Sequence, residues 1–213
     1  MRKIITLLTP LFLLATVSAK AQIGMGLSVA HHMIDGDGTE TTRQSSQENT
    51  GTHDVDITVP ELFIEAIADN GWTIGLSYIP TRDMGEKSRS DTNAGGDTGT
   101  YSAKAELENV TQIYTDIPVI GGNYPIHVKL GYQHVTIKTL ESLNSGSAYP
   151  DADVYGTTVG IGTKGDLPFG NSYYKLEATY TDFDSISLLS DANNKLEADL
   201  DASAVKLSVG YKF

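Results

Sequence analysis

The segment Ala202–Phe213, with the sequence ASAVKLSVGYKF, decides how the rest of the chain is interpreted. Its residues alternate strictly in character, with small or basic residues between the members of an apolar set: Val205, Leu207, Val209, Tyr211 and Phe213. A period of two predicts a β-strand. One face of this strand is wholly apolar, and the other carries Lys206 and Lys212. Such a strand has apolar side chains on one face and charged side chains on the other over its whole length.

The N-terminus has the features of a secretory signal peptide. Arg2 and Lys3 precede a mostly apolar run over residues 4–17, and Ser18–Ala21 has the small-x-small pattern of a cleavage site. The apolar run is shorter than the ~20 residues that a membrane-spanning helix needs, and Pro10 interrupts it. A cleaved signal is therefore favoured over a retained anchor.

We predict a cleaved signal peptide over residues 1–21 and a single domain over residues 22–213, exported through the Sec pathway. Loss of Arg2, Lys3 and Lys20 with the signal changes the net charge from −12 to −15. A chain this acidic is not expected to bind nucleic acid. It has no cysteine, which excludes disulfides and thiol chemistry. No later segment is apolar enough for a transmembrane helix.

The alternating pattern recurs in seven further segments, which we predict as strands over residues 22–32, 55–68, 72–78, 101–117, 124–133, 154–164 and 174–180. In the second of these segments the apolar residues change phase near Pro60. Proline cannot donate to a β-ladder, so we expect a β-bulge there.

The connections between these segments alternate between tight and long. The tight turns are Asp69–Gly71, Gly121–Asn123 and Pro168–Asn171. We predict long acidic loops, the last with a helical turn around residues 193–200, over residues 34–54, 83–100, 140–153 and 185–201. This asymmetry is typical of a barrel that crosses a membrane. The predicted fold is all-β: an eight-stranded antiparallel up-and-down transmembrane β-barrel.

Aromatic residues on the outward faces form two predicted girdles, since aromatic side chains concentrate where a bilayer meets water. The girdle near the tight turns comprises Trp72, Tyr124, Tyr174, Tyr211 and Phe213. The girdle near the long loops comprises Tyr78, Tyr101, Tyr132 and Tyr180.

The inward faces carry charges of both signs, which we predict to form a polar network in the lumen: Lys104, Glu106, Glu108, Asp116, His127, Lys129, Lys175, Glu177, Lys206 and Lys212. Hairpin register places His127 near Asp116, and Glu177 falls diagonally close to Lys206. An eight-stranded interior is only just wide enough for its own side chains, so we expect a filled lumen.

The alternative is a narrow channel for water, ions or small solutes, including apolar ones. The abundance of inward glycine favours this alternative: Gly24, Gly26, Gly75, Gly131, Gly160, Gly162 and Gly210.

An export signal, eight alternating segments and a closing strand that ends in Tyr211-x-Phe213 resemble the small outer-membrane β-barrels of the OmpA/OmpX/OmpW superfamily. The resemblance covers the whole mature chain. It implies the bacterial outer membrane as location, with lipid and lipopolysaccharide as neighbours. It also implies assembly by the barrel-assembly machinery through the C-terminal strand. We expect a monomer without a cofactor, acting in envelope structure or surface interaction, and the sequence names no external partner.

Neither a catalytic site nor a metal site is predicted. The histidines form no triad that spacing supports: His31, His32, His53, His127 and His134. The sequence from Asp35 to Gly38 resembles the start of a calcium loop, but its twelfth position would be Ser46 where a bidentate glutamate is needed. The acidic loops leave open two interpretations, a solvated crown or a surface that binds divalent cations or a cationic partner.

Overall fold

The computed structural model describes residues 21–43, 46, 48–91, 99–122, 125–142, 148–191 and 193–213. The predicted signal peptide falls almost wholly outside them. The described strands are β1 (Gln22–Thr41), β2 (Glu48–Ile67), β3 (Thr73–Ile79), β4 (Arg82–Asp91), β5 (Gly99–Ile120), β6 (Ile126–Ser142), β7 (Ala152–Asp166), β8 (Ser172–Phe183), β9 (Ile186–Leu189) and β10 (Lys195–Lys212). Nowhere in these residues is there a helix with the length and apolar character needed to cross a membrane.

The strands form one antiparallel sheet that closes on itself. Neighbours pair in the order β1-β2-β3-β5-β6-β7-β8-β10, and β10 pairs with β1. Two elements continue strands of this ring: β4 follows β3 after Pro80 and Thr81 and pairs with β5, and β9 follows β8 and pairs with β10. The predicted eight-stranded up-and-down barrel is therefore confirmed.

Apolar side chains cover the outside of the ring. On β10, Leu207 is 57% exposed, whereas Lys206 beside it is 5% exposed and Ser208 is 1% exposed. The same inverted arrangement holds on β1, where Leu27 and Val29 face out. A large continuous apolar exterior around buried charge requires an apolar surrounding, because it is the reverse of what water stabilises.

The predicted girdle residues are mostly found on the outward face. Exposed there are Trp72, Tyr78, Tyr132, Tyr180, Tyr211 and Phe213. Tyr174 is half-buried and lies across Gly165 on the neighbouring strand. Tyr124 and the side chain of Tyr101 lie outside what the structure describes. That these rings mark the two membrane surfaces stays a prediction.

The prediction of four long loops is wrong for most of the residues it covers. β1 and β2 stay paired from Gln22 and Ile67 to Thr41 and Glu48, so most of residues 34–54 are strand. The predicted helical turn near residues 193–200 is also wrong, because residues 195–200 belong to β10. In these extensions the outward face is polar, while inward positions such as Ile34 and Leu200 remain apolar. The alternation of apolar and polar residues continues in the extensions, but there the apolar residues face inward and the polar residues face outward.

The bulge predicted at Pro60 is absent, because the pairing of β1 with β2 runs past it without a shift in register. Ile57 and Val59 face the interior, and Leu62 and Ile64 face outward, all within one uninterrupted alternation. The apolar residues change phase because the chemistry of the interior changes at this level, from polar near the tight turns to apolar near the hairpin tips.

A bulge does occur in β5, where the register with β6 shifts between Glu108 and Thr111. Asn109 has a positive φ of 53° there. The extra residue reverses the faces beyond it, so Ala105 and Leu107 line the interior. The prediction that Lys104, Glu106 and Glu108 face the lumen is therefore wrong. They lie on the opposite face, where Lys104 pairs with Asp83 and Glu106, and Glu108 pairs with Lys138.

We expect the apolar exterior to be sensitive to charge only within the lipid-facing band. Leu207→Arg should lower the free energy of unfolding by about 2–4 kcal/mol, since this is the cost of arginine near the middle of a bilayer on a barrel surface. The measurement is a urea titration in phosphatidylcholine vesicles.

Asp201→Arg is the matched control, because Asp201 lies on the same strand in the extension toward the hairpin tips, opposite Asp35 and Asp182. Its cost should be near zero. Equal costs for the two arginines would contradict a lipid-facing band on β10.

Candidate functional site

Buried titratable side chains fill the interior in the half nearer the tight turns. Each is at most 5% exposed, and together we call them the ionic plug: Glu61, Glu65, Asp116, His127, Lys129, Lys175, Glu177 and Lys206. They come from β2, β5, β6, β8 and β10, so the plug spans the cross-section of the ring.

Each lysine of the ionic plug lies against at least one carboxylate. The Nζ of Lys206 is 2.8 Å from Glu61 Oε2, and the Nζ of Lys129 is 2.9 Å from Asp116 Oδ1 and 3.0 Å from Glu177 Oε1. Buried ions are tolerated only when they are paired and hydrogen-bonded in this way.

Glu65 is the most extensively bonded carboxylate of the plug. Lys175 Nζ lies 2.8 Å from its Oε2, and the hydroxyls of Tyr114 and Tyr173 donate to its two oxygens at 2.6 and 2.7 Å. The Nζ of Lys129 also lies 3.4 Å from the centroid of the Tyr114 ring, a cation–π contact. The carboxylate of Glu65, the ammonium groups of Lys175 and Lys129 and the ring of Tyr114 thus form one connected group.

The inward glycines provide room for these large side chains. A Cβ on Gly75 would stand 2.3 Å from the Tyr114 ring, and one on Gly162 would stand 2.7 Å from the ring of His127. Tyr173 likewise covers Gly210. The glycines were expected to favour a narrow channel, and that expectation is wrong here because bulky neighbours occupy the space they leave.

Six of the ten residues predicted for a lumen network are members of the ionic plug: Asp116, His127, Lys129, Lys175, Glu177 and Lys206. His127 lies with Asp116 as the hairpin register predicted, and its Nε2 is 3.1 Å from Glu177 Oε1. Lys206 is directly opposite Glu177 in register but pairs with Glu61. Lys212 lies at the end of β10 and pairs with Asp166.

Glu61 and Glu65, which pair with Lys206 and Lys175, are not among the residues predicted from the sequence. The signal was present, because the alternation after Pro60 places Leu62 and Ile64 outward and hence Glu61 and Glu65 inward. The apparent change of phase at Pro60 concealed it.

Asp116, His127 and Glu177 together offer three potential metal-ligating atoms within 4.8 Å of one another. The ammonium of Lys129 already lies within 3.0 Å of both carboxylates. The positive charge that these carboxylates need is therefore supplied by the chain itself.

Toward the hairpin tips the interior contains an apolar cavity of about 400 Å³, which we call the outer cavity. The buried residues of its lining include Val59, Ile79, Val110, Val135, Ala152 and Ala202. Its wall continues through Ile34, Ile57, Leu107, Ile137, Phe183 and Leu200. Few polar residues line it, among them His32, Asp37, Arg82 and Gln133. Predominantly apolar lining with a few polar groups is typical of a site for a small organic molecule.

One side of the outer cavity meets a break in the barrel wall. The last pair joining β2 to β3 is Leu62 with Tyr78, and the same register continued would bring Glu61 opposite Ile79 and then Pro60 opposite Pro80. Neither proline has an N–H to donate. In the described residues, β2 and β4 form no strand pairing beyond this point. We call this break, between residues 48–60 and 82–91, the open seam.

Residues on both edges of the open seam line the outer cavity. Ile57 and Val59 contribute from β2, and Arg82 and Met84 contribute from β4. Pro60 itself is opposite Val29, an outward apolar residue of β1. The open seam therefore begins at the level of the apolar exterior. It connects the outer cavity with that exterior.

A row of aspartates follows the outer face beyond the apolar exterior. Asp182 is opposite Asp201, Asp201 is opposite Asp35, and Asp35 is opposite Asp54. Desolvation, together with repulsion from Asp54 and Asp201, raises the pKa of Asp35 above its ordinary value. The acidic crown predicted from the loops thus also occupies the strand extensions.

The histidines are dispersed over the molecule. His31 faces outward with its Nδ1 3.0 Å from Thr58 Oγ1, His134 lies 3.4 Å from Asp153, and His127 is in the plug. His32 and His53 line the outer cavity. That the protein has no catalytic residue stays a prediction.

No protein-family model matches the sequence, and no curated protein matches it. Solved structures do match its fold. The outer membrane protein OprG from Pseudomonas aeruginosa is 16% identical over 88% of this chain and 96% of its own, with a TM-score of 0.50. The outer membrane protease OmpT from Escherichia coli is 8% identical over 93% of this chain and 98% of its own, also with a TM-score of 0.50.

These similarities confirm, at the level of fold, the resemblance to outer-membrane barrels that the closing strand indicated. Both proteins are outer-membrane proteins, and what they share with this chain is the fold. The chain is thus a β-barrel of the outer-membrane type.

We expect the ionic plug to depend on every member of its ion pairs. Lys175→Met should lower the free energy of unfolding by about 3–5 kcal/mol, because it leaves the buried carboxylate of Glu65 without its counter-ion. Urea titration in vesicles measures the change.

Lys212→Met is the control, since its partner Asp166 is largely exposed and such pairs contribute about 1 kcal/mol or less. If Lys175→Met were as mild as Lys212→Met, the plug would not be the tightly coupled group described above.

Proposed function

We propose that this barrel takes a small apolar molecule from the external side into the outer cavity and does not conduct ions through its lumen. The observation that supports the proposal is the apolar cavity of about 400 Å³, which adjoins a layer of buried ion pairs. The proposal joins the filled lumen expected from the sequence with its alternative, a site for small apolar solutes.

The ionic plug argues against a straight path between the two ends of the barrel. A passing solute would have to separate pairs such as Lys206–Glu61, which are 2.8 Å apart and buried. Breaking one buried pair costs about 3–5 kcal/mol, and the plug contains several that share partners. A steady single-channel current from the purified protein in planar bilayers would contradict a closed plug.

The outer cavity supplies the driving force for binding. Burial of apolar surface stabilises by about 25 cal/mol per Å², so a ligand that buries ~200 Å² would gain roughly 5 kcal/mol before the costs of association. The described lining is mainly apolar, which favours an uncharged, apolar solute over a charged one.

The open seam supports a sideways route between the outer cavity and the membrane. Its base lies beside Pro60 and Pro80, level with the apolar exterior at Val29. A molecule leaving through it would pass from one apolar surrounding to another without crossing the plug. The proposed direction of transfer is from the outside into the outer leaflet.

We expect filling of the outer cavity to abolish binding of an apolar probe. Ala198 lines the cavity opposite Gly38, so Ala198→Trp has room to project into it. Its affinity for naphthalene should fall about tenfold or more, because the ring occupies the ligand's volume. Radiolabelled naphthalene is measured by equilibrium dialysis against nanodiscs with and without the protein.

Glu197→Trp places the same side chain on the adjacent, outward position and should leave binding unchanged. Equal naphthalene uptake by empty nanodiscs and by nanodiscs with the wild-type barrel would show that the cavity binds nothing apolar.

We expect that closing the open seam slows transfer without weakening binding. The double variant Pro60→Val and Pro80→Val restores two N–H donors where the ladder stops, so β2 and the strand opposite can pair further. The rate of naphthalene transfer into vesicles should fall by roughly tenfold while equilibrium binding in nanodiscs stays the same.

Pro118→Val serves as the control, because Pro118 lies near the tight-turn end of β5, away from the seam. Unchanged transfer in the double variant would exclude the seam as the route.

The roles in envelope structure and surface interaction, the monomeric state and assembly through the C-terminal strand remain proposals of the sequence analysis. Contact with lipopolysaccharide is supported by the row of aspartates from Asp182 to Asp54, which could hold divalent cations against its phosphates. No external partner is proposed.

A further inference from the structure

The described end of the connection between β6 and β7 lies across the mouth of the outer cavity. The Thr139 hydroxyl, on β6, donates to the backbone carbonyl of Tyr149 at 2.7 Å, and the Tyr149 hydroxyl donates to Glu40 Oε1, on β1, at 2.7 Å. In the ring, β2, β3 and β5 separate β1 from β6 on one side, and β7, β8 and β10 separate them on the other. One tyrosine thus joins two opposite walls, and we call it the strap.

The strap lies just beyond the apolar lining of the outer cavity. Thr139, which holds one end of it, is itself a lining residue. Glu40, which holds the other end, is two positions after the lining residue Gly38 on the same strand, so both face inward. The bond between Tyr149 and Glu40 therefore crosses the lumen and does not run along the outer surface.

Further hydrogen bonds tie the strap to the connection between β9 and β10. The side-chain amide of Asn194 donates to the same Glu40 oxygen at 3.4 Å. The backbone N–H of Ala148 donates to Asp191 Oδ1 at 3.1 Å, and the N–H of Asp191 donates to the carbonyl of Ala148 at 3.1 Å. These bonds cover the side of the mouth over β7, β9 and β10, and none of them reaches β2 or β4.

The exposure of the inward positions differs between the two sides of the mouth. On β2, beside the open seam, Gly51 and His53 line the outer cavity and are nevertheless exposed. On β1 and β10, below the bonds of the strap, Gly38, Leu196 and Ala198 line the same cavity and are half-buried. Solvent thus reaches the described lining more readily beside the open seam than below the strap.

We propose that Tyr149 closes the mouth of the outer cavity over β7, β9 and β10, so that the ligand enters and leaves along β2 and β4. This inference rests on the proposed function and adds how the path of the ligand is controlled. The side of the mouth that the strap leaves free is the side that contains the open seam. A bound molecule is thereby directed toward the membrane, and its return to water over β10 is hindered.

Single cysteines on the two sides of the mouth test the strap, since the chain has no cysteine of its own. Ala198→Cys reports on the wall below the strap, and His53→Cys reports on the wall beside the open seam. Each variant is treated in nanodiscs, without ligand, with a charged methanethiosulfonate reagent that does not cross lipid. With the strap in place, Ala198→Cys should react more slowly than His53→Cys.

Tyr149→Phe removes only the hydroxyl that bonds to Glu40. It should speed the reaction of Ala198→Cys about tenfold, the effect of losing one hydrogen bond to a charged group, and leave the reaction of His53→Cys unchanged. Thr139→Val releases the other end of the strap and should also speed the reaction of Ala198→Cys. It supplies an independent measurement if Tyr149→Phe does not fold.

Tyr155→Phe is the matched control, because Tyr155 is exposed on the outer face and stacked on Tyr132. It should change neither reaction rate. Saturating naphthalene should slow the reaction of Ala198→Cys, because the ligand covers the labelled wall. Tyr149→Phe should bind naphthalene at equilibrium as tightly as the wild type does, because the described lining of the cavity does not include Tyr149.

The outcomes separate the strap from the function it rests on. Equal rates at the two cysteines with the strap intact, or a rate at Ala198→Cys that neither Tyr149→Phe nor Thr139→Val raises, would overturn the strap. So would Tyr149→Phe speeding both cysteines alike, because that would mean a general loosening of the extensions. If the strap variants behave as expected but naphthalene protects neither cysteine, the proposed function fails, and the role of the strap in directing a ligand fails with it.

Discussion

A closed sheet with side chains alternating between two faces constrains everything else in this molecule. The outer face of the ring is apolar, so the inner face must accommodate the charges that the strands also carry. It does so through ion pairs centred on Glu65, Asp116 and Glu177, with Tyr114 and Tyr173 donating to Glu65. Closure removes sheet edges, and pairing of the buried charges stabilises the closed state.

The interior changes character along the barrel axis, and this change produces the site. Near the tight turns the lumen is filled by charged and aromatic side chains lying over glycines. Beyond Val59 and Val110 it becomes apolar and contains a cavity. Two local features mark the boundary: the bulge at Asn109, which turns Leu107 inward, and the end of the β2–β3 pairing, which stops short of Pro60 and Pro80. The plug, the outer cavity and the open seam thus meet at one level.

The sequence was sufficient to predict the fold, because the period of two in β10 and the Gly-containing tight turns are local signals. The sequence was also sufficient to predict much of the ionic plug. Lys129, Lys175 and Lys206 lie on strands whose other face is clearly apolar, so their own face must be the inward one. It misplaced Lys104, Glu106 and Glu108 because a bulge at an asparagine has no clear sequence signature. It missed the cavity because an apolar residue facing a lumen and one facing lipid look identical in a sequence; only the pairing across Pro60 distinguishes them.

The most direct test is to measure, for each half of β2, whether its apolar side chains face the lipid or the interior of the barrel. The chain has no cysteine, so single-cysteine variants at Val55, Ile57, Leu62 and Ile64 each carry one fluorescent label. In vesicles of brominated phospholipid, quenching reports contact with lipid. Labels at Leu62 and Ile64 should be quenched, and labels at Val55 and Ile57 should not. Quenching at all four positions would mean that the strand bulges at Pro60 after all, and that the apolar lining of the outer cavity does not exist.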